Sequence, residues 1–210
     1  MLERVLLSLT AWINTLASAV VVMALGWAGQ ATPQAPPPPD AAQVARMKEI
    51  YLPSAPHAAL ARLAGEWDQT VELASADGPP LRAHGHVSNR VVLGGRFVVS
   101  EGGARQPEGP LAYGSLLLFG FDGRSRDYTA IVLDTFGTYY VTAAGSAPPE
   151  GAPIVMRGET PERGGSKRFD VVLRWLDADT YRTEIVFHLP GRQPAVAVAA
   201  TCRRTKGARR

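Results

Sequence analysis

LARLAGEWDQTVEL, residues 60–73, decides how the rest of the chain is read. Leu60 and Leu63 stand at helical spacing, and the run breaks at Gly65. From Trp67 onward, Trp67, Gln69, Val71 and Leu73 alternate with Asp68, Thr70 and Glu72. A helical period thus gives way to a period of two within a few residues, so a short helical turn feeds a half-buried strand.

The pattern established at Trp67 continues to the end of the chain. Strands are expected at about 66–74, 82–92, 96–101, 111–121, 127–134, 138–145, 153–159, 167–176, 179–189 and 195–204. Between them lie DGPP, LGG, QPEGP, DGRSRD, FG, SAPPEGAP, PERGGS, DAD and PGRQP, each of a composition that reverses a chain within a few residues. About ten antiparallel strands joined in sequence predict an all-β fold, an up-and-down barrel or a related sandwich. Closure removes the sheet edges that a long meander otherwise exposes. Alternation assigns Phe169, Val171, Leu173 and Trp175, and then Tyr181, Thr183, Ile185 and Phe187, to the inside. Tyr113, Phe119 and Phe121 share one face of their strand, while the last strand, PAVAVAATC, is built of small and branched residues.

Upstream of the barrel, MLERVLLSLTAWINTLASAVVVMALGWAGQA (1–31) has the form of an export segment. Arg4 begins it, an apolar run follows, and Gly29-Gln30-Ala31 offers a small-x-small cleavage site. The run from 5 to 28 is also long enough to stay in a bilayer as an anchor. Both forms place the body outside the cytoplasm, periplasmic or secreted, or held at the inner membrane by residues 5–28. TPQAPPPPD (32–40) is an extended proline spacer, and Asp40 is placed to cap a short helix, AAQVARMKEI, with Val44, Met47 and Ile50 along one edge. Ser54 and Pro56 then open the turn that ends at Gly65. The expected division is therefore 1–31 signal or anchor, 32–55 linker, 56–204 barrel and 205–210 basic tail.

Charge and cysteine content exclude several functions. The chain of 210 residues carries a formal charge of +3, yet RRTKGARR at its end holds five positive charges. Subtracting those five from +3 leaves −2 for the remainder, so no basic surface on the fold announces nucleic acid. Membrane contact is expected only through the N-terminal segment. Cys202 is the sole cysteine, which rules out an intrachain disulfide, and its strand context reads as a small buried thiol. His84 and His86 share a face with Ser88 and Arg90, a polar row that suits a solvent-facing strand and lacks a third metal ligand. His188, beside Pro190-Gly191 on a polar face, is a poor haem ligand. No nucleophile elbow, zinc-protease or phosphate-cradling motif occurs. No catalytic residue, metal or cofactor is expected.

HAALARLAGEW (57–67), NRVVLGGRFVVSE (89–101), LLLFGFDGRSRDYTAIVLDTFGT (116–138) and VLRWLDADTYRTEIVF (172–187), taken in order, resemble bacterial domain-of-unknown-function family 1579. The resemblance covers about residues 56 to 204. It implies a calycin-type barrel and carries no reaction, ligand or catalytic residue. In that setting Gly65-x-Trp67 looks like the barrel-opening motif whose Trp packs across one end, covered by an Arg from the last strand; Arg204 is preferred over Arg203. Asp134-Thr135-Phe136-Gly137-Thr138 has two readings. In one, Asp134 bonds turn amides and Gly137 takes a positive φ; in the other, Asp134 anchors a ligand at the barrel mouth.

The function expected is a non-enzymatic exported barrel holding a small apolar or amphipathic molecule. Tyr113, Phe119, Trp175, Tyr181 and Phe187 would supply apolar contact and Asp134 a polar anchor, around a cavity of about 300 Å³ or more. Two alternatives stand beside it. An envelope interaction scaffold would show an exposed apolar patch, for instance at residues 136–140, and a barrel enzyme would need a buried carboxylate with an acid or base partner. A mass measurement on the protein from its own envelope separates the two N-terminal forms: loss of residues 1–31 marks cleavage, and a full-length mass in the membrane fraction marks the anchor.

Overall fold

The computed structural model describes residues 40–75, 78–109, 111–163 and 165–205. The export segment 1–31, the proline spacer up to residue 39 and the tail from 206 lie outside the described residues. Two short helices, α1 (Ala41–Tyr51) and α2 (Ala55–Ala61), precede ten strands. These are β1 (Gly65–Leu73), β2 (Leu81–Val92), β3 (Phe97–Arg105), β4 (Ala112–Asp122), β5 (Asp127–Asp134), β6 (Tyr140–Ser146), β7 (Ile154–Glu162), β8 (Gly165–Asp177), β9 (Thr180–His188) and β10 (Ala195–Arg204). Each strand pairs antiparallel with its neighbour in sequence, and β1 pairs with β10, so the sheet closes into a barrel.

Alternation accounts for the two faces. Trp67, Gln69, Val71 and Leu73 of β1 are buried, as are Ala83, Val87 and Asn89 of β2 and Phe169, Val171 and Leu173 of β8. The intervening residues face outward. The main core runs from Leu60, Leu63 and Trp67 at one end through Val98, Phe119, Tyr128 and Met156 to Phe169. A smaller cluster of Val71, Leu73, Ala83, Ala104 and Tyr113 fills the corner between β1, β2, β3 and β4.

α2 docks on the Trp67 end. Ser54 and His57 form its capping box: the Ser54 amide donates to His57 Nδ1 at 3.0 Å. The His57 ring stands edge-on to Phe121 at 5.6 Å and bonds the Phe121 backbone, and burial lowers its pKa. Leu60 and Leu63 drive into the barrel end. α1 has no buried residue; Met47 on its expected apolar edge is exposed, and Arg96 Nη2 ties the helix's end by donating to the Tyr51 carbonyl at 3.0 Å.

The seam between β6 and β7 is the most sparsely paired, with register partners only at Ala143–Gly158 and Ala144–Arg157. Glycine makes the crossing possible. A Cβ on Gly158 would lie 2.4 Å from the Thr142 carbonyl oxygen and 2.3 Å from the Phe169 ring.

Around the outside, the strands divide into two sectors. β1, β2, β8 and β9 carry ion pairs: Arg82 and Arg182 reach Glu72, and Arg182 and Arg174 reach Glu184. Such exposed pairs contribute about 0–1 kcal/mol each. Across β3, β4 and β5 the outward rows are Val99–Leu118–Ile131 and Glu101–Leu116–Leu133, the second continuing to Tyr140 on β6. Leu116, Leu133 and Tyr140 are exposed, so this side of the barrel is largely apolar.

Gly158→Ala should lower stability by about 1–3 kcal/mol, the usual cost of forcing a methyl into packed backbone. Gly103→Ala, whose Cβ would meet nothing nearer than 3.8 Å, should cost far less. Urea unfolding of the two variants compares them directly.

Candidate functional site: a plugged barrel with two small hollows

Trp67 is wholly buried, and its indole N–H donates to the Leu63 carbonyl at 2.8 Å. That carbonyl follows α2, where helix geometry leaves acceptors without partners. Asn89 Nδ2 donates to the same oxygen at 2.9 Å and to the Tyr181 hydroxyl oxygen at 2.9 Å. Over the indole lies the Arg204 guanidinium, 4.0 Å from the ring centroid. Its Nη1 donates to the Ala64 carbonyl at 2.9 Å and its Nη2 to the Arg62 carbonyl at 3.2 Å, while Nε stands 3.3 Å from Asp179 Oδ1. Gly65 has φ +124, and a Cβ there would meet Arg204 Nη1 at 2.8 Å, so glycine is required twice over. Trp175 and Tyr181 pack on Trp67 at 6.0 and 4.8 Å, and Arg62 covers Trp175 at 4.4 Å. This end of the barrel is shut.

Two hollows lie inside. The first, about 40 Å³, is lined by Gln69, Ser100, Tyr113, Ser115, Thr183 and Cys202 on its polar side and by Leu117, Phe119, Val132 and Ile185 on its apolar side. The second, about 60 Å³, lies between Val132, Asp134, Tyr139, Val141, Thr160, Phe169, Ile185 and Phe187. Val132 and Ile185 border both and divide them. The expectation of an enclosed cavity of about 300 Å³ is therefore not met, because the rings of Phe119, Tyr181, Phe169 and Phe187 occupy most of the interior.

The expected site residues are distributed as follows. Tyr113, Phe119 and Tyr181 line the first hollow, and Asp134 and Phe187 the second. Trp175 lines neither and belongs to the plug. Tyr181 serves both, touching Trp67 with its ring and Cys202 with its hydroxyl. Asp134 Oδ1 accepts from the Phe136 amide at 2.8 Å, an Asx turn, while its carboxylate also borders the second hollow. Gly137 does not take the positive φ expected of it; its lack of a side chain instead leaves room for the Tyr139 ring, 2.6 Å from where a Cβ would sit. His84 and His86 face solvent, His84 beside Thr70 and His86 against Glu66. His188 pairs with Asp170 at 2.9 Å on the outer face. Among the described residues no group of three side chains is placed to hold a metal ion.

Burial raises the Tyr113 hydroxyl to about 12 and the Cys202 thiol to about 11. Neither ionises near neutrality, so the hollow presents neutral groups. Ser100 and the orientation of Gln69 were missed in the sequence, although Gln69 stood in view as the one polar member of the inward series Trp67–Leu73; Thr183 was placed inside but not counted among the site residues.

The fold and the shut end define a closed ten-stranded antiparallel barrel, plugged by a Trp–Arg pair. Residues 52–204 match the family described as "Protein of unknown function (DUF1579)", and the chain belongs to that family. Among solved structures it is similar to Rv2717c from M. tuberculosis, with 13% identity over 73% of this chain and 99% of that one, at a TM-score of 0.53. That likeness is one of fold. A comparison with curated proteins finds no match.

Arg204→Met should destabilise the barrel by about 2–3 kcal/mol, since it strands two backbone carbonyls and uncovers the indole. Thermal unfolding with Trp fluorescence reports it. The Cys202 thiol is held neutral in the fold and ionises more readily when unfolded, so its contribution is whole below pH 9 and is lost as pH rises through about 11. Cys202→Val should flatten that alkaline decline, and a thiol reagent at pH 8 should leave the native protein unlabelled until it unfolds.

Proposed function

We propose that this is an exported, non-enzymatic barrel that binds a small amphipathic molecule in its interior, reached from the end opposite Trp67. The observation that carries the reading is the pair of hollows, each bordered by polar groups together with aliphatic and aromatic side chains. Their size narrows the ligand: ordinary drug-sized sites run to about 300–1,000 Å³, so a molecule of a few heavy atoms fits, and a longer one requires Val132 and Ile185 to part. Export rests on residues 1–31 alone. No Asp or Glu is buried among the described residues, and the non-enzymatic reading rests on that.

A second reading has its own observation. The outward apolar rows on β3 to β6 adjoin a corner where Phe136, Tyr139 and Tyr140 are all exposed. Contiguous patches of this kind on soluble proteins mark contacts with other macromolecules, and the barrel would then serve as an envelope scaffold.

Native mass spectrometry of the protein purified from its own envelope tests both. The ligand reading expects a small-molecule adduct that Ile185→Trp, which fills both hollows, abolishes. A co-purified protein lost in Leu116→Glu and retained in Ile185→Trp supports the scaffold. An apo species with no adduct in the wild type counts against both readings.

A further inference from the structure

We infer that the first hollow selects an uncharged molecule bearing a hydrogen-bond donor, an alcohol or a primary amide, and that Gln69 Oε1 is the group that receives it. This rests on the ligand-binding reading above and names the chemistry of that same site.

The inference begins with the Gln69 amide. Its Nε2 donates to the His86 carbonyl at 3.1 Å and to the Gly103 carbonyl at 3.0 Å. An amide nitrogen has two hydrogens, so both are used. Turning the amide over would set its oxygen against two backbone carbonyls, so the positions of Nε2 and Oε1 follow from the bonding. Gly102 leaves the space: a Cβ there would come within 3.0 Å of Nε2. Oε1 is left as a pure acceptor. The hydrogen bonds of this side chain among the described residues are the two that Nε2 donates, and Gln69, 95% buried, is part of the hollow's wall.

A second group points the same way independently. Ser100 is 94% buried on β3, lines the same hollow, and its hydroxyl has no partner among the described residues. Thr183 adds another hydroxyl from β9. Polar side chains this deeply buried are ordinarily satisfied by protein or by a bound molecule, and Ser100 lines the hollow.

Charge sets the class. No Asp, Glu, Lys, Arg or His lines this hollow, and its two tyrosines and its cysteine stay protonated. A carboxylate would meet the Gln69 oxygen without a cation, and an ammonium would find no anion. Burying either unpaired is strongly unfavourable. A neutral donor suffers neither penalty. The volume of about 40 Å³ admits roughly three to four heavy atoms, given that one water needs about 10–15 Å³. Leu117 and Phe119 take the carbon end.

The test uses two size-matched pairs of probes, acetamide with acetate and ethanol with ethylammonium, titrated into the protein and followed by the NMR signals of the Val132, Ile185, Leu117 and Thr160 methyls and of the Phe187 ring. Acetamide and ethanol should shift these signals saturably, and the two ions should not. The paired substitution Ser100→Ala with Thr183→Val, which breaks no bond within the protein, should weaken acetamide by about tenfold, the worth of one or two neutral hydrogen bonds. Gln69→Leu should abolish binding, with the folded state checked by the dispersion of the same spectra. Binding of acetate or ethylammonium as tight as that of acetamide would overturn the inference while leaving an interior ligand site standing. Shifts confined to Phe187 and Thr160 would do the same. No interior shift with any probe would remove the ligand-binding reading as well.

Discussion

Trp67 and Arg204 are register partners in the pairing of β1 with β10, so the contact that plugs the barrel is also the contact that closes its sheet. Much else follows from that coincidence. The guanidinium covers the indole and, in the same orientation, takes the carbonyls of Arg62 and Ala64 that the end of α2 leaves free. The indole N–H takes Leu63. Helix, first strand and last strand are thereby locked by two side chains, and Gly65 is the residue small enough to let them meet.

Shutting one end determines what the interior can do. Trp175 and Tyr181 are drawn into the plug, and with Phe119 and Phe169 they fill the barrel's width, leaving two narrow hollows parted by Val132 and Ile185. The interior is therefore closer to a packed core with polar gaps than to the roomy cup of a lipid carrier. The exterior follows a separate division, ion-paired on β1, β2, β8 and β9 and apolar across β3 to β6. Inner and outer faces of the same strands thus differ in chemistry.

The strand pattern was legible because alternation is a local property: Trp67 to Leu73 or Phe169 to Trp175 declare their faces without reference to any partner. Closure was legible through the resemblance and through Gly65-x-Trp67, and the turn reading of Asp134 through its short side chain. What escaped depends on which residues meet across the barrel. That Trp175 sits at the plug, that Val132 opposes Ile185, and that the outward residues of three successive strands stack into apolar rows are consequences of register and shear, and neither is written in a single strand. Gly137 shows the limit from the other side. A glycine in a turn suggests a positive φ, yet here the constraint is the neighbouring Tyr139 ring.

Pairing the first strand with the last also has a kinetic side. β1 and β10 are separated by nearly the whole barrel in sequence, and contacts of such long range slow folding because the chain must lose much freedom before they form. Until Arg204 arrives, β1 presents a bare edge and an uncovered indole, both open to wrong partners. The barrel is complete only when its final strand is in place, so the step that seals the interior is the last to become available during synthesis.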